Sequence, residues 1–406
     1  MPAFFIKFRR VLYKVCLVIG QFFYKITFGM FPASMFYMSV DSGHINTDVK
    51  IVKEDEDSVT IAKFNEYGVM KNENFKIIST SDLHLGDDPK LRKKAFQLLA
   101  NHITNVHPDL VVFTGDIILS KFQQIDTIQF ARFMEKIGVY WTIVFGNHEA
   151  REDRGYFKKM MIDTVASYPH CLTRIGPDSL FGYGNYCINI QNGENRLQQS
   201  LFFFDSGRDI LDRLREEYQV PEGMNGYDFL KKEQIGWYKD KILALREQYG
   251  DFKSMMYMHI PLPEYQNAIE TQKTEDGAFP FTDKCRILYG AAYEGIGCSQ
   301  YNSGMFAAIK EMGSTQAVFS GHDHINDFCA LYDGVYLVYN QCCGYETYTM
   351  GTNYGWEETR WPQGVTVTLI HSDGSFELAQ RLNTMYLKET IAKKKAAAAK
   401  AGAKKK

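Results

Sequence analysis

Five short apolar runs along the chain each end in polar residues that can bind a metal ion or a phosphate. The runs are rich in apolar and β-branched residues and cover 76–81, 110–113, 141–145, 254–258 and 316–319. Their length is typical of strands buried on both faces of a sheet. The polar residues that follow them are, in order, Asp82 and His84, Asp116, Asn147 and His148, His259, and His322 and His324. Because sites in α/β proteins form outside the carboxyl ends of strands, we expect these side chains to meet at one rim.

Helical periodicity separates the first three of these strands. Apolar residues recur on one face of a helix over 90–107, and a second helix is predicted over 126–137. Each helix would connect two parallel strands, so that the first three polar motifs follow successive parallel strands. Further along, the pattern predicts a helix over 227–249 and strands over 186–190, 201–204, 335–338 and 365–370, the first two of them in a second sheet.

The chain divides into four segments by composition. A main domain is predicted over 75–385, preceded by an N-terminal extension or hairpin over 41–74 that contains the β-prone piece 58–62. A long stretch with many Gly and Tyr, 264–304, lies between two of the polar motifs, where an insertion commonly recognises substrate. Residues 386–406 are rich in Lys and Ala and are expected to form a solvated tail.

Residues 1–40 are basic and aromatic, and two interpretations of them stay open. The longest apolar run has about ten residues, short of the roughly twenty that cross a bilayer. Lys25 and the lack of a small-residue cleavage site argue against a signal peptide. The segment would therefore form a helix that lies on a membrane surface, or a helix packed on the main domain.

The charge distribution bears on which partners the protein binds, and the cysteine content bears on its cellular compartment. The formal net charge is −2, but residues 1–40 carry five cations and 393–406 carry seven, which leaves about −14 on the remainder. An acidic body argues against duplex-DNA binding. The eight cysteines show no C-x-x-C spacing in a chain too long to need disulfides, which favours a reducing compartment and a cytoplasmic location, with peripheral membrane contact through residues 1–40 as the alternative.

The polar motifs are specific only as a set. Asp82 and His84 stand at i and i+2, so on an extended backbone they would point to the same side, but Asp-x-His alone is a weak signal. All five motifs together resemble the calcineurin-like metallophosphoesterases, which carry D-x-H, G-D, G-N-H-[DE], a lone H and G-H-x-H in this order. The residues after His259 and around His322 resemble the branch related to purple acid phosphatases. One departure is Leu119, which stands where purple enzymes place a tyrosine ligand, so two divalent ions are expected rather than an Fe(III) charge-transfer centre.

The resemblance implies a fold and a site. The fold would be α/β, a four-layer α-β-β-α sandwich of two mixed sheets with helices outside and a dimetal site at the strand carboxyl ends. Its catalytic domain would be the predicted main domain. Two divalent ions (Mn, Fe, Zn or Co) would be held, the first by Asp82, His84, Asp116 and His324, and the second by Asp116, Asn147, His259 and His322.

The same resemblance implies a reaction. A hydroxide bridging the two ions would attack phosphorus in line, with Asp116 as the bridging carboxylate. His148, free of metal, would contact the substrate beside Asn147 and donate a hydrogen bond or proton to the leaving oxygen. Its orienting carboxylate stays open between Glu149 and Asp205, and Asp323 is expected to point away from the ions and support its loop.

Three functions are compatible with these residues. The first is a phosphatase acting on a phosphomonoester, in a phosphoprotein or a small molecule. The second is a phosphodiesterase acting on a cyclic nucleotide, a nucleic acid or a lipid headgroup. The third is a non-catalytic binding module on the same fold, which the presence of all seven ligand positions and of His148 disfavours.

Overall fold

The computed structural model describes residue 40 and residues 43–149, 157–193, 196–270 and 284–383. The predictions for residues 1–39, and those for the tail from 384 onward, fall outside these described residues and stay predictions. Within the described residues no helix has both the length and the apolar character needed to cross a membrane.

The smaller sheet has five strands in the order β14-β13-β3-β4-β5. Strands β3, β4 and β5 are parallel, whereas β13 runs antiparallel to β3, so the sheet is mixed. This arrangement confirms that the first three polar motifs follow successive parallel strands. The strands are β3 (Phe75–Thr80), β4 (Leu110–Thr114), β5 (Tyr140–Val144), β13 (Gly364–Ile370) and β14 (Phe376–Leu382).

The larger sheet has nine strands in the order β1-β2-β6-β7-β8-β10-β12-β11-β9. It is also mixed: β8 is parallel to both of its neighbours, and β6 and β7 are antiparallel. The strands are β1 (Val49–Glu54), β2 (Ser58–Lys63), β6 (Tyr186–Gln191), β7 (Leu197–Phe203), β8 (Ser254–Tyr257), β9 (Cys285–Tyr289), β10 (Thr315–Ser320), β11 (Cys329–Tyr332) and β12 (Val335–Tyr339).

The hairpin predicted ahead of the main domain is part of this sheet. Strands β1 and β2 pair antiparallel, and β2 then pairs in parallel with β6. Residues 49–63 therefore form one edge of the larger sheet, and the folded unit begins well before residue 75.

Helices cover the outer face of each sheet, which completes the predicted α-β-β-α sandwich. One apolar core lies between the sheets, and one lies between each sheet and its helices. In the central core the rings of Tyr186, Phe203, Tyr257 and Phe319 stack in a row across four strands. The helices are α1 (Pro89–Val106), α2 (Gln123–Ile137), α3 (Lys158–Ala166), α4 (Asp212–Glu217), α5 (Lys232–Tyr249), α6 (Pro263–Glu270), α7 (Met305–Met312) and α8 (Met350–Tyr354).

Local chemistry explains where two helices begin. The Asp88 side chain accepts hydrogen bonds from the backbone N–H groups of Lys90 and Leu91, which caps α1. Helix α5 begins at Lys232 rather than at residue 227, because the backbone N–H of Lys231 donates to Gln234 and closes the helix there.

Candidate metal centre

The polar residues meet where the carboxyl ends of the two sheets adjoin. The first polar residue of each motif follows the end of its strand by two or three positions: Asp82 follows β3, Asp116 follows β4, Asn147 follows β5, His259 follows β8 and His322 follows β10. The backbone N–H of His322 donates to Asp82 Oδ2 at 2.9 Å and so joins the loops of the two sheets. The site is therefore built by both sheets rather than by one rim.

Four of these residues have a left-handed backbone conformation rather than an extended one. The φ angles are +53° at Asp82, +44° at His84, +52° at Asp116 and +85° at His322. The reason given for the convergence of Asp82 and His84, an extended backbone, is therefore wrong, although the two side chains do converge. Such conformations cost residues other than glycine roughly 1–3 kcal/mol each and concentrate at functional sites.

The first cluster consists of Asp82, His84 and His324, whose donor atoms all lie within 4.8 Å of one another. His84 Nε2 and His324 Nε2 are 2.9 Å apart. Asp82 Oδ1 lies 3.4 and 3.6 Å from these two nitrogens. This oxygen is buried and accepts no hydrogen bond within the described residues, which is what a ligand atom aimed at a shared cation would show.

The second cluster consists of Asp116, His259 and His322, again within 4.8 Å. His259 Nε2 lies 3.4 Å from Asp116 Oδ2, and His322 Nδ1 lies 3.2 Å from His259 Nε2. Asn147 joins this cluster, because its Oδ1 is 2.9 Å from His259 Nε2. The structure thus brings the predicted residues together in two groups, and their role as metal ligands stays a prediction.

Asp116 lies between the two clusters. Its Oδ2 atom is 3.5 Å from His84 Nε2 of the first cluster and 3.4 Å from His259 Nε2 of the second. Its Oδ1 atom accepts the backbone N–H of His148 at 2.9 Å. One carboxylate oxygen is therefore within reach of both groups of imidazoles.

The four buried imidazoles differ in the direction in which their pKa values are shifted. Burial lowers the pKa of His322 to about 3, with His259 adding to the effect, and lowers that of His324 to about 4, with His84 adding to it. Burial alone would raise the pKa of Asp116, but His259 and His84 hold it well below its ordinary value. At the other two imidazoles burial is outweighed by the carboxylates: Asp116 raises the pKa of His259 to about 10, and Asp82 and Asp116 raise that of His84. These carboxylates would attract a divalent cation as they attract the proton, and imidazoles beside ionised carboxylates are donors that bind divalent Mn, Fe, Zn or Co. The two clusters therefore fit two divalent ions.

Glycine precedes several of the ligand-type residues for a steric reason. A Cβ atom on Gly146 would lie 2.0 Å from Asp116 Oδ1, and one on Gly115 would lie 2.5 Å from His259 Nδ1. Side chains from the neighbouring strand ends occupy the space that any other residue would need. The Gly-Asp and Gly-Asn-His spacing is thus required by the packing of the site.

His148 lies at the mouth of the site, with 37 % of its side chain exposed. Its Nε2 is 3.8 Å from Asp116 Oδ2. The two carboxylates considered as its partner are engaged elsewhere: Glu149 accepts the backbone N–H groups of the β4 and β5 loops, and Asp205 accepts two hydrogen bonds from Lys158 Nζ, at 2.7 and 2.8 Å. Neither carboxylate therefore stands out as the group that orients His148.

Several residues around the site carried no sequence signal. Thr347 Oγ1 lies 2.7 Å from His324 Nδ1, and the Tyr348 ring stacks on the His324 ring. The Tyr227 ring meets the His322 ring edge-on, with 4.2 Å between centroids. Thr347 and Tyr348 lie eight and nine residues beyond the end of β12, and Tyr227 follows helix α4 rather than a strand, so the strand-end pattern could not find them. Asp323 supports its loop as expected, accepting hydrogen bonds from Gly297 N and the Tyr339 hydroxyl.

Among known proteins, some relatives of this chain are named as inactive phosphatases and another is named as a phosphatase. An Arabidopsis thaliana protein named probable inactive purple acid phosphatase 29 is 27% identical, over 70% of this chain and 75% of that protein. The Saccharomyces cerevisiae phosphatase DCR2 is 29% identical, over 73% of this chain and 50% of its own length. A solved dimetal phosphatase from Danio rerio aligns with a TM-score of 0.48 at 13% identity, over 76% of this chain and 96% of that one.

A family model covers most of the structured chain. The model described as calcineurin-like phosphoesterase matches residues 75–326, which include every motif that forms the two clusters. The chain therefore belongs to the calcineurin-like phosphoesterase family, as its motifs predict.

Proposed function

We propose that this protein is a metal-dependent phosphatase that hydrolyses phosphomonoesters at a pair of divalent ions. The observation that carries the proposal is the position of Asp116, whose Oδ2 lies within 3.5 Å of an imidazole from each cluster. A carboxylate shared in this way is what a two-ion site needs to hold its ions close together.

Each cluster residue has a proposed role. Asp82, His84 and His324 would hold one ion, and Asn147, His259 and His322 the other, with Asp116 shared between them. When bound, such ions supply an activated water as nucleophile and stabilise the charge that develops on phosphate oxygens. His148, exposed beside Asp116, would contact the substrate together with Asn147 and donate a hydrogen bond to the leaving oxygen.

The substrate class has one alternative. A phosphodiesterase acting on a cyclic nucleotide, a nucleic acid or a lipid headgroup would use the same ions and the same nucleophile. The name of the Arabidopsis relative includes the word inactive, whereas the yeast relative is named a phosphatase. The complete ligand set and a free, partly exposed His148 support catalysis in this chain over a purely binding role.

The test is metal reconstitution against paired substrates. The chain is stripped of metal, reloaded with Mn, Fe, Zn or Co, and assayed with p-nitrophenyl phosphate and bis(p-nitrophenyl) phosphate. We expect two equivalents of metal to bind and the monoester to be hydrolysed faster. A faster diester would favour the alternative, and failure to bind two equivalents or to turn over either ester would contradict the proposal.

Asp116→Asn tests the shared ligand directly. It should weaken both ions and slow turnover by about 10³-fold, because the shared carboxylate holds the site together. Asp109→Asn is the matched control, since Asp109 precedes the same strand at its opposite end and accepts the backbone N–H of Lys76. Near-normal turnover in Asp116→Asn would show that this carboxylate is not shared.

The natural substrate is proposed to be a phosphoprotein or a small phosphate ester. Absence of duplex-DNA binding, a cytoplasmic location and membrane contact through residues 1–40 stay predictions from the sequence.

A further inference from the structure

We infer that residues 346–348 form a positioning segment for the first cluster, with Thr347 and Tyr348 as positioning residues for His324. The inference rests on the proposed function, in which Asp82, His84 and His324 together hold one of the two ions. None of the motifs that define the site includes this segment.

Thr347 fixes the orientation of the His324 ring from behind. Its hydroxyl oxygen lies 2.7 Å from His324 Nδ1, while His324 Nε2 faces Asp82 and His84. A ring whose Nδ1–H donates to the hydroxyl presents the Nε2 lone pair to the site, which is the form that binds metal. Partners on the far nitrogen of a ligand imidazole set its tautomer and direction.

Tyr348 restrains the same ring in the perpendicular direction. Its ring is nearly parallel to that of His324, at 10°, with 4.2 Å between centroids. The Tyr348 hydroxyl accepts the backbone N–H of His324 at 3.3 Å and donates to Glu294 Oε1 at 3.0 Å. Glu294 Oε1 also accepts the N–H of Ile325 at 3.1 Å, so the stacked pair is anchored to the loop that carries His324.

Glu346 reaches the loop that carries the other imidazole of this cluster. Its carboxylate accepts the backbone N–H groups of Gly86 at 3.1 Å and Asp88 at 2.6 Å, just after His84. Three consecutive residues thus contact both loops that bring imidazoles to the first cluster.

The second cluster is supported by different groups. His259 Nδ1 lies 2.7 Å from the backbone oxygen of Thr114, and the ring of His322 contacts Tyr227. His322 and His324 share one loop, but the groups that contact their rings are separate. The Thr347 hydroxyl contacts the His324 ring, so its loss should affect one ion and not the other.

Metal titration of the full chain tests this separation, with Mn or Zn as the probe. Thr347→Val, which removes the hydroxyl and keeps the shape, should weaken one of the two equivalents about 10-fold to 100-fold and leave the other unchanged. Thr347→Ser, which restores a hydroxyl, should recover most of the loss. Tyr348→Phe keeps the stacked ring and loses only the hydroxyl contacts, so it should give a smaller loss at the same equivalent.

Two further variants assign the effect. His84→Ala should weaken the same equivalent as Thr347→Val, so the double variant should show no loss at the other equivalent. Tyr345→Phe is the matched control, because the hydroxyl of Tyr345 accepts a hydrogen bond from Asn383 rather than contacting the cluster, and it should bind both equivalents normally.

The outcomes separate the inference from the proposed function. If the unaltered chain binds fewer than two equivalents, the proposed function fails. If it binds two, and Thr347→Val and Tyr348→Phe weaken both equally or neither, the positioning role is overturned. If Thr347→Val does not fold, the result for Tyr348→Phe alone decides between support and rejection.

Discussion

At the scale of single residues, His148 is partly exposed, and its environment disfavours the protonated form of its imidazole. Partial burial lowers its pKa below the usual value, although the Asp116 carboxylate opposes this effect. Its protonated fraction therefore falls as the pH rises through the mildly acidic range. Proton donation by His148 should therefore increase the rate of hydrolysis most at acidic pH and for poor leaving groups.

His148→Ala should bind both ions normally yet slow poor leaving groups selectively. For alkyl phosphates we expect about a 10²-fold loss, with a much smaller loss for p-nitrophenyl phosphate. The ratio of unaltered to variant rates should be largest at acidic pH and decrease as the pH rises. Metal content and rates over a series of leaving-group pKa values measure this, and equal slowing across the series would contradict the donor role.

Glu149 is a buried carboxylate that accepts hydrogen bonds from the backbone of two loops. Its carboxylate accepts the backbone N–H groups of Asp116, Ile118 and Gly146 at 2.8, 3.0 and 2.7 Å, and also that of Ile117. It therefore ties the loop of Asp116 to the loop of Asn147.

Glu149→Gln should lower the free energy of unfolding by about 2–3 kcal/mol, because the amide NH₂ would face buried N–H donors. Urea unfolding measures the change. Glu377→Gln is the control, since Glu377 is 71 % exposed and should change stability little. An unaltered unfolding free energy in Glu149→Gln would show that these hydrogen bonds contribute nothing net.

The sequence pattern predicted the ligand-type residues of the site but not the residues that hold them in place. Asp116 and His259 could be predicted because each follows an apolar run, although these two runs lie in different sheets. The left-handed φ at His84 could not be predicted, since it depends on loop packing. The same holds for Thr347 and Tyr348, whose role exists only once a loop distant in sequence contacts His324.

At the scale of elements, the two sheets are linked by contacts that cross their seam. Asp327, just before β11 of the larger sheet, accepts the N–H of Ala291 at 2.9 Å and contacts Gln380 of β14 in the smaller sheet at 3.2 Å. Burial raises the pKa of Asp327 to about 6.

Because this pKa is raised on folding, Asp327 contributes most to stability when protonated, below about pH 4, and loses that contribution as the pH rises through about 6. As the pH rises from 4 to 7, the unaltered chain should lose up to about 3 kcal/mol of unfolding free energy relative to Asp327→Asn. Chemical unfolding of both at several pH values measures it. A difference independent of pH would place the folded pKa near its ordinary value.

Element types were more predictable than element boundaries and partners. The helix predicted over 90–107 spans 89–106 in the structure, because its apolar stripe is a local feature of the sequence. The predicted start of α5 lies five residues before the observed one, because Leu230 is apolar and buried but precedes the helix. The pairing of β2 with β6 was not predicted, since strand partners far apart in sequence leave no local pattern.

At the scale of the whole molecule, each cluster combines residues from both sheets. Asp82 and His84 follow the smaller sheet and His324 follows the larger, and in the second cluster Asp116 follows the smaller sheet and His259 the larger. Ions held in this way would bind the folded state and not the unfolded chain, and would join the two sheets.

Chelation should therefore lower the melting temperature by at least about 5 °C, because ligand at 100 times its Kd stabilises by about 2.7 kcal/mol. Calorimetry with and without chelator measures the change, and re-addition of metal should reverse it. In Asp116→Asn the chelator should have little further effect. A chelator-independent melting temperature in the unaltered, metal-loaded chain would contradict two tightly held ions.

The hydrogen bond from His322 to Asp82 joins residues 240 positions apart in the chain. A ribosome that has released only the smaller sheet's three parallel strands has made the aspartates of both clusters but neither imidazole of the second. The second of the two proposed ions could then be held only after residue 322 has emerged, so products terminated before that residue should be unable to bind it.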